Sequence, residues 1–290
     1  MTTLTFDDNE TLEAARQRNV RDALYEDIGR CDWTAMLVPG ERQVHARVMA
    51  KEHGVLCGRD WFDACVLACD PAAQVEWFLS EGDTFTATTE VCRIRSNARA
   101  LLSAERSSLN FLQMLSGVAT VTRSYVDAIA GLSPNPRGCL VLDTRKTLPG
   151  LRQAQKYAVR VGGGANQRLA LWHGILIKEN HIASAGSVAG ALRAAQALHA
   201  GVTIQIEVEN LAELDEALQA GATSVLIDDF SFDDMRAAVA LNAGRALLEV
   251  SGGVDMTTIR EIAATGVDRI SIGRLTKDVH AIDLSMRVLG

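Results

Sequence analysis

Six short apolar runs in the second half of the chain, each followed by a helical pattern, constrain its fold more than any other feature. They begin near residues 139, 175, 203, 224, 246 and 269, so the spacings are 36, 28, 21, 22 and 23 residues. Parallel strands need a long crossover between them, and a strand that is buried on both faces has a continuous apolar run. Ser187, Asn210 and Ser231 are suitable N-cap residues for three of the intervening helices. The rhythm predicts six βα units that close, or nearly close, into a barrel, with a doubly wound sheet as the alternative.

The first half of the chain has a different pattern, in which short stretches replace the long repeat. Residues 10–30 carry apolar side chains at helical spacing, and residues 43–95 contain several short strands separated by turns. Residues 103–130 form the longest helical pattern, which we expect to kink or break at Ser116-Gly117. These features predict an α+β unit of roughly 100 residues ahead of the βα repeat.

Charge and cysteine content exclude several classes of protein. The net charge is −7 and the isoelectric point is about 5.4, which argues against a general nucleic-acid binder. The N-terminus lacks the apolar segment of a signal peptide, and no run approaches the roughly 18 apolar residues of a membrane span. The six cysteines contain no CxxC pair, which favours buried thiols over a metal site. We therefore expect a reduced, cytoplasmic enzyme.

A cationic block lies inside this acidic chain. From Thr144 through Lys178 there are seven Lys or Arg residues and no Asp or Glu. Clustered cations focus the electrostatic field on an anion, and guanidinium groups match carboxylates and phosphates. Arg152, Lys156 and Arg160 recur at helical spacing, which predicts a solvated helix face. The remaining cations predict a site that collects carboxylates or phosphates.

The residues at the ends of the predicted strands differ in charge and type from one strand to the next. In a parallel barrel the site lies at the C-terminal strand ends. The first two ends are cationic, the third and fourth carry Glu207 and Asp228, and the last two are rich in glycine. Paired carboxylates suit a sugar diol or Mg²⁺. Ser251-Gly252-Gly253, just before a helix expected near Asp255, suits a phosphate cradle. Together these ends predict a site for a sugar phosphate and a small polyanion.

Longer motifs surround these strand ends. They are ERSSLNFLQMLSGVAT (105–120), DTRKTLPGLRQAQKYAV (143–159), GGGANQR (162–168), LIKENHI (176–182), IEVENLAELDEAL (206–218), LEVSGG (248–253) and GVDRISIGRLTK (266–277), with EDIGRCDWTA (26–35) and GVLCGRDW (54–61) nearer the N-terminus. A chain with these motifs resembles the quinolinate phosphoribosyltransferase family. The resemblance covers nearly the whole sequence, and DTRKTLPGLR is highly specific.

The resemblance implies both a fold and a reaction. The fold would be an N-terminal open α/β sandwich domain on an incomplete, six-stranded parallel α/β barrel, in a homodimer with a shared active site. We expect boundaries at 1–120 for the sandwich with its helical segments, 121–275 for the barrel and 276–290 for a segment that packs back on the N-terminal domain. The reaction would convert quinolinate and phosphoribosyl pyrophosphate to nicotinate mononucleotide, pyrophosphate and CO₂ in NAD biosynthesis, with Mg²⁺. No nucleic acid or membrane would take part.

The resemblance also assigns residues to the acid. Two ring carboxylates need two or three cations to enter a protein without a large desolvation cost. The residues that would hold the quinolinate carboxylates are Arg145, Arg168 and Lys178, with Thr144 and Lys146 beside them and Arg106 reaching in from the partner subunit.

A second group of residues would serve the sugar phosphate. Glu207 and Asp228 would face the ribose and Mg²⁺, directly or through water, and with Lys146 they would be the catalytic residues. Carboxylates near the ribose could stabilise the oxocarbenium character that builds as pyrophosphate leaves. The phosphate would be held by Ser251, Gly252, Gly253, Ser271 and Gly273.

The sequence departs from the family pattern at three positions. Gln167 stands where a histidine is frequent on the substrate side, Asp229 where LDNF has asparagine, and Gly253 where SGN has asparagine. One alternative is therefore a related phosphoribosyltransferase-like protein of molybdenum-associated operons that acts on another substrate. Two further alternatives are a lyase that uses Lys146 or Lys178 as a Schiff base and a non-catalytic phosphoribosyl-binding protein.

Overall fold

The computed structural model describes residues 9–289, and these residues form two compact units. The barrel unit comprises Ser124–Lys146 and Gly164–Arg274. The mixed unit comprises the described residues up to Arg123, together with Thr147–Gly163 and the described residues from Leu275 onward. Each unit therefore draws on separate segments of the chain.

Helices and strands alternate through most of the chain. The helices are α1 (Leu12–Ile28), α2 (Arg59–Cys69), α3 (Ala98–Ile129), α4 (Arg152–Val161), α5 (Glu179–Ala185), α6 (Val188–Ala197), α7 (Leu211–Gln219), α8 (Phe232–Asn242), α9 (Ile259–Ala264) and α10 (Arg274–Lys277), with a 3₁₀ turn at Ala35–Leu37. The strands are β1 (Gln43–Ala50), β2 (Gly54–Val55), β3 (Gln74–Trp77), β4 (Thr84–Phe85), β5 (Glu90–Asn97), β6 (Leu140–Leu142), β7 (Gly174–Ile177), β8 (Thr203–Val208), β9 (Ser224–Asp228), β10 (Leu247–Ser251), β11 (Arg269–Ser271) and β12 (Leu284–Leu289).

Among the described residues of the barrel unit, six strands form one parallel sheet in the order β6-β11-β10-β9-β8-β7. From β11 to β7 the order follows the chain without the reversal of a doubly wound sheet. A cavity of about 480 Å³ is lined by residues from all six strands, so the sheet curves around an interior. β6 and β7 lie at the two edges and do not pair, so the barrel is incomplete. The predicted incomplete α/β barrel is confirmed, and the doubly wound alternative is wrong.

Side-chain caps begin three of the helices in the barrel unit. Ser187 accepts a hydrogen bond from the Gly190 backbone N–H at the start of α6, and Asn210 accepts one from Glu213 at the start of α7. Ser231 does the same for α8. These caps satisfy backbone donors that have no partner within the helix. The three N-caps predicted from sequence are confirmed.

An antiparallel sheet organises the mixed unit, in the order β12-β1-β5-β3. β1 is a central strand, and its Ala46 lies opposite Ile94 of β5 on one side and Val288 of β12 on the other. Its inward side chains join those of α2 and α3 in one apolar core. Members of that core include Val48, Leu56, Phe62, Ile94, Leu101 and Leu112.

The long helix α3 runs without interruption through Ser116 and Gly117, so the predicted break at this pair is wrong. Both residues serve packing within the mixed unit instead. The Ser116 hydroxyl accepts a hydrogen bond from the Cys57 backbone N–H at 3.0 Å. Gly117 lies so close to the C-terminal segment that a Cβ atom there would be 2.0 Å from the carbonyl oxygen of His280. Only glycine allows this approach, and the neighbouring turns of the helix are held by buried side chains that include Leu112, Leu115 and Val118.

The cationic face predicted for α4 is also wrong in part. Arg160 is exposed and Arg152 is half-buried, but Lys156 is completely buried. The helix buries residues around most of its circumference, including Ala154 and Val159, so one face of α4 is not available to hold all three cations in water. The spacing of the cations was a poor guide because burial of a helix depends on how many neighbours surround it.

No helix within residues 9–289 combines the length and the apolarity that crossing a membrane requires.

Replacing Gly117 by alanine tests the close packing of α3. The variant should lose about 1–3 kcal/mol of stability, the usual cost of overpacking, because the new methyl group would overlap the His280 carbonyl. The midpoint of urea unfolding measures the loss. Asn110→Ala, at an exposed position of the same helix, is the control and should leave the midpoint unchanged or raise it slightly. Equal midpoints for the wild type and Gly117→Ala would contradict the close approach.

Candidate active site

The C-terminal ends of the parallel strands lie at one edge of the barrel unit. Strands β6 and β7 are followed by the cations Arg145, Lys146 and Lys178. Glu207 lies near the end of β8, and Asp228 ends the neighbouring strand β9. From β7 to β11 the strand ends lie in space in the order predicted from the sequence, which runs from a cationic end through two acidic ends to two glycine-rich ends, whereas the cationic end of β6 lies at the opposite edge of the sheet.

An ion pair and a second carboxylate form the centre of this edge. The Lys178 ammonium donates to both carboxylate oxygens of Glu207, at 3.0 and 2.7 Å. The Glu207 side chain is only 10% exposed, whereas that of Lys178 is 45% exposed. Burial raises the pKa of Asp228, and the neighbouring charge of Glu207 raises it further, while Lys178 and Lys146 act in the opposite direction. These four groups therefore share one electrostatic environment.

Two guanidinium groups converge on the same unit. Burial lowers the pKa of Arg168, and the positive charge of Arg145 lowers it further. Arg168 Nη1 also donates to the carbonyl oxygen of Gly174 at 2.7 Å. Two positive charges that lie close together repel one another. A bound anion lowers the cost of that repulsion. The pair is therefore suited to a substrate with one or more carboxylates.

A buried carboxylate at the end of β6, which was not among the predicted binding or catalytic residues, holds the segment that carries Arg168. Asp143 is completely buried. One of its oxygens accepts the backbone N–H of Gln167 at 2.9 Å, and the other accepts the side-chain amide of Asn166 at 2.5 Å. The segment that carries Arg168 is thereby fixed beside the loop that carries Arg145. The available signal was the position of Asp143, directly after an apolar run and before Thr144.

Lys146 is held against the loop that follows β11. The Thr144 hydroxyl accepts the backbone N–H of Lys146 at 3.0 Å, which closes a tight turn. A Cβ atom at Gly273 would lie 3.0 Å from Lys146 Cδ. Glycine at position 273 therefore allows the lysine stem to lie along the backbone, with its ammonium group near the acidic centre.

The loop after β10 approaches Asp228 closely. Ser251 is aligned with Asp228 on the neighbouring strand. Gly252 and Gly253 both have positive φ angles, of 91° and 59°. A Cβ atom at Gly252 would lie 2.8 Å from Asp228 Oδ1. Glycine is needed at position 252 for two reasons. Its φ angle is positive, and a side chain would collide with the Asp228 carboxylate.

The helix predicted to begin near Asp255 is wrong in position. α9 begins at Ile259 and is six residues long. The reason is local, because the Asp255 carboxylate accepts the backbone N–H groups of Thr257 and Thr258 and holds this stretch as a turn. Any phosphate cradle here must use the backbone of 251–253 rather than the end of a helix.

Two other predicted residues are placed differently from the rest. The Ser271 side chain is buried, and its hydroxyl donates to the Glu249 carboxylate. Arg106 belongs to the mixed unit, where it lies exposed on α3. Binding of phosphate by Ser271 and the shared-site role of Arg106 stay predictions.

The carboxylate set is compatible with Mg²⁺. Within the described part of the chain, no group of three or more His, Cys, Asp or Glu side chains is arranged to hold a metal ion. Magnesium, however, is usually bound through one or two carboxylates, with substrate phosphates and water completing its shell. Glu207 and Asp228, on neighbouring strands, are an oxygen donor set of that kind.

A parallel α/β barrel with cations, two carboxylates and glycine loops at its C-terminal edge has the arrangement of an enzyme whose site suits anionic substrates. A family model described as "Quinolinate phosphoribosyl transferase, C-terminal domain" matches residues 118–287, and its N-terminal counterpart matches residues 32–116. The chain belongs to the quinolinate phosphoribosyltransferase family, as the sequence motifs predicted.

Similar proteins and solved structures agree with this assignment. The chain is 38% identical to the nicotinate-nucleotide pyrophosphorylase [carboxylating] of Mycobacterium leprae, over 94% of this chain and 97% of the relative. It is 38% identical to the probable enzyme of the same name from Bacillus subtilis, over 91% and 90%. The solved structure of nicotinate-nucleotide pyrophosphorylase from Francisella tularensis is similar with a TM-score of 0.91 and 41% identity, over 99% of this chain and all of that one.

Gly252→Ala tests the close approach to Asp228. The variant should lower the melting temperature by more than Gly244→Ala, because both need a positive φ angle but only the methyl group at 252 meets a neighbour. The φ strain alone costs about 1 kcal/mol, or about 2–4 °C. Differential scanning fluorimetry measures both variants, and a crystal structure of Gly252→Ala should show the Asp228 carboxylate displaced. Equal losses at the two glycines would contradict the packing described here.

Proposed function

We propose that the chain transfers the phosphoribosyl group of phosphoribosyl pyrophosphate to quinolinate, with release of pyrophosphate and CO₂ and formation of nicotinate mononucleotide. The observation that carries this proposal is the ion pair between Lys178 and Glu207, on the strand next to Asp228, in the same unit as Arg145 and Arg168. Cations for a dicarboxylate and carboxylates for a ribosyl centre are present together. The names of the relatives describe the same chemistry.

The acid would bind at the cationic side of the site. Arg145 and Arg168 would each face one ring carboxylate, and the repulsion between the two guanidinium groups would be relieved by the bound dianion. Lys178 would be shared between the acid and Glu207, because its ammonium is already engaged by that carboxylate. Binding of both carboxylates orients the ring nitrogen toward the sugar.

The chemical step would depend on electrostatics rather than on a nucleophilic side chain. As pyrophosphate leaves, positive charge develops at the ribose, and Glu207 or Asp228 would stabilise it. Lys146 would stabilise negative charge that builds on the departing phosphates. In the adduct the positively charged ring nitrogen stabilises the electron pair that departing CO₂ leaves on the adjacent ring carbon, and that carbon then takes a proton from water, so decarboxylation needs no covalent intermediate with the protein.

Mg²⁺, a shared dimeric site and a cytoplasmic location complete the proposal. Glu207 and Asp228 would hold Mg²⁺, directly or through water, and the ion would neutralise pyrophosphate. Arg106 is exposed, as a residue that serves a second subunit must be. All six cysteines are free thiols, which fits a reducing compartment.

The alternatives are less well supported. The relatives described above carry the name of the carboxylating pyrophosphorylase, so a different substrate of a molybdenum-associated protein is not favoured. A Schiff-base lysine attacks as a neutral amine, whereas Lys178 donates to both oxygens of Glu207.

Release of CO₂ from carboxyl-labelled quinolinate tests the proposal. The wild type with phosphoribosyl pyrophosphate and Mg²⁺ should release label, and Arg145→Ala should lower kcat/KM by about 100-fold or more, since truncating one member of a desolvated charge pair costs about 2–5 kcal/mol. Arg193→Ala, which removes an exposed arginine of α6, is the matched control and should keep full activity. A folded wild-type protein that releases no label would reject quinolinate as the substrate.

A further inference from the structure

The interior of the barrel unit contains connected polar side chains that the proposed mechanism does not use. Barrels of this type are usually filled by branched apolar side chains. Here Gln205 of β8 is 7% exposed and Glu249 of β10 is 1% exposed. Both line the interior cavity of about 480 Å³, together with Gln167 and Arg168. Burying an amide and a carboxyl group is costly unless each is hydrogen-bonded, so their partners identify what they hold in place.

These side chains form one continuous series of hydrogen bonds. Glu249 accepts from the Ser271 hydroxyl on Oε1 and from Gln205 Nε2 on Oε2, the latter at 2.9 Å. Gln205 Oε1 in turn accepts from Gln167 Nε2 at 2.9 Å. We call Gln167, Gln205, Glu249 and Ser271 the interior chain.

The direction of every bond in the interior chain follows from Glu249. Both of its oxygens act as acceptors, so Gln205 must turn its N–H₂ group toward Glu249 and its carbonyl oxygen away. Gln167 must then present its own N–H₂ group to that oxygen. One buried carboxyl group therefore fixes the orientation of two amides in sequence.

The interior chain ends on the segment that carries Arg168. The Gln167 backbone N–H is held by Asp143, and the Gln167 side chain is held by Gln205. The residue that follows is thus anchored on two sides. Arg168 is the guanidinium group whose charge is opposed by Arg145. Two like charges separate unless the backbone that carries them is restrained.

We propose that Gln205 and Glu249 are positioning residues for the acid-binding side of the site. They act through Gln167 and hold the Arg168 segment in place against the repulsion of Arg145. The inference rests on the proposed function, since Arg168 is there assigned to a quinolinate carboxylate. It adds two residues that would not touch the substrate.

Gln205→Met cuts the interior chain while keeping the volume of the side chain. The KM for quinolinate should rise about five- to tenfold, while the KM for phosphoribosyl pyrophosphate stays within about twofold. Glu249→Gln should shift the quinolinate KM in the same direction. In the double variant, Glu249→Gln should add nothing further to that KM, because its route to Arg168 is already cut. Thr203→Val, in the same strand and the same cavity but outside the chain, is the control and should leave both KM values unchanged.

Several outcomes would overturn the proposal. An unchanged quinolinate KM in Gln205→Met would show that the chain does not position the acid. Equal increases in both KM values, with a lower melting temperature, would indicate a structural role alone. Additive effects in the double variant would show that Glu249 acts by another route.

A readout without substrate separates this inference from the proposed function. The Nε–H resonance of Arg168, recorded by NMR in the free protein, should shift in Gln205→Met and in Glu249→Gln but not in Thr203→Val. Absence of that shift overturns the inference even if the wild type releases CO₂. Absence of CO₂ release by the wild type rejects the proposed function, while a shifted resonance still supports the positioning of Arg168.

Discussion

The parallel direction of the strands in the barrel unit is the constraint on which the site depends. All six strands run in the same direction, so their C-terminal ends lie at one edge of the sheet. That edge therefore carries the residues that follow β6 and β7 and those that end β8 and β9. Lys146, although distant from Asp228 in sequence, thereby acts to lower the pKa of that carboxyl group. The helices between the strands fix these ends, and the N-cap residues Asn210 and Ser231 closely follow the ends of β8 and β9.

The distribution of charge at this edge explains why the site suits anions. Arg168 and Arg145 repel one another, and burial adds to the cost of the charge on Arg168. Glu207 and Asp228 likewise disfavour each other, and Lys178 compensates only part of that repulsion. A dicarboxylate would relieve the first conflict and a cation or a developing ribosyl cation the second. In the free protein, groups of like charge therefore repel one another at this edge. Bound substrates of the opposite charge would reduce that repulsion.

The sequence predicted the strand ends well and the interior poorly. Lys178 and Glu207 were found because a charge beside an apolar run is informative wherever strands are parallel. Gln205 and Glu249 were missed, although each lies two residues before a predicted site position and so shares its face. A single polar residue in an apolar strand does not reveal its partners. Lys156 was assigned to solvent because helical spacing describes a face and not what packs against it.

The cations at this edge would hold both carboxylates of the bound acid. Calorimetric titration of the wild type with quinolinate and with nicotinate, which lacks one ring carboxylate, tests it most directly. Quinolinate should bind about 10- to 100-fold more tightly, since a hydrogen bond to a charged group contributes about 1.5–3 kcal/mol, and the difference should shrink at high salt. Equal affinities for the two acids, independent of salt, would contradict the account.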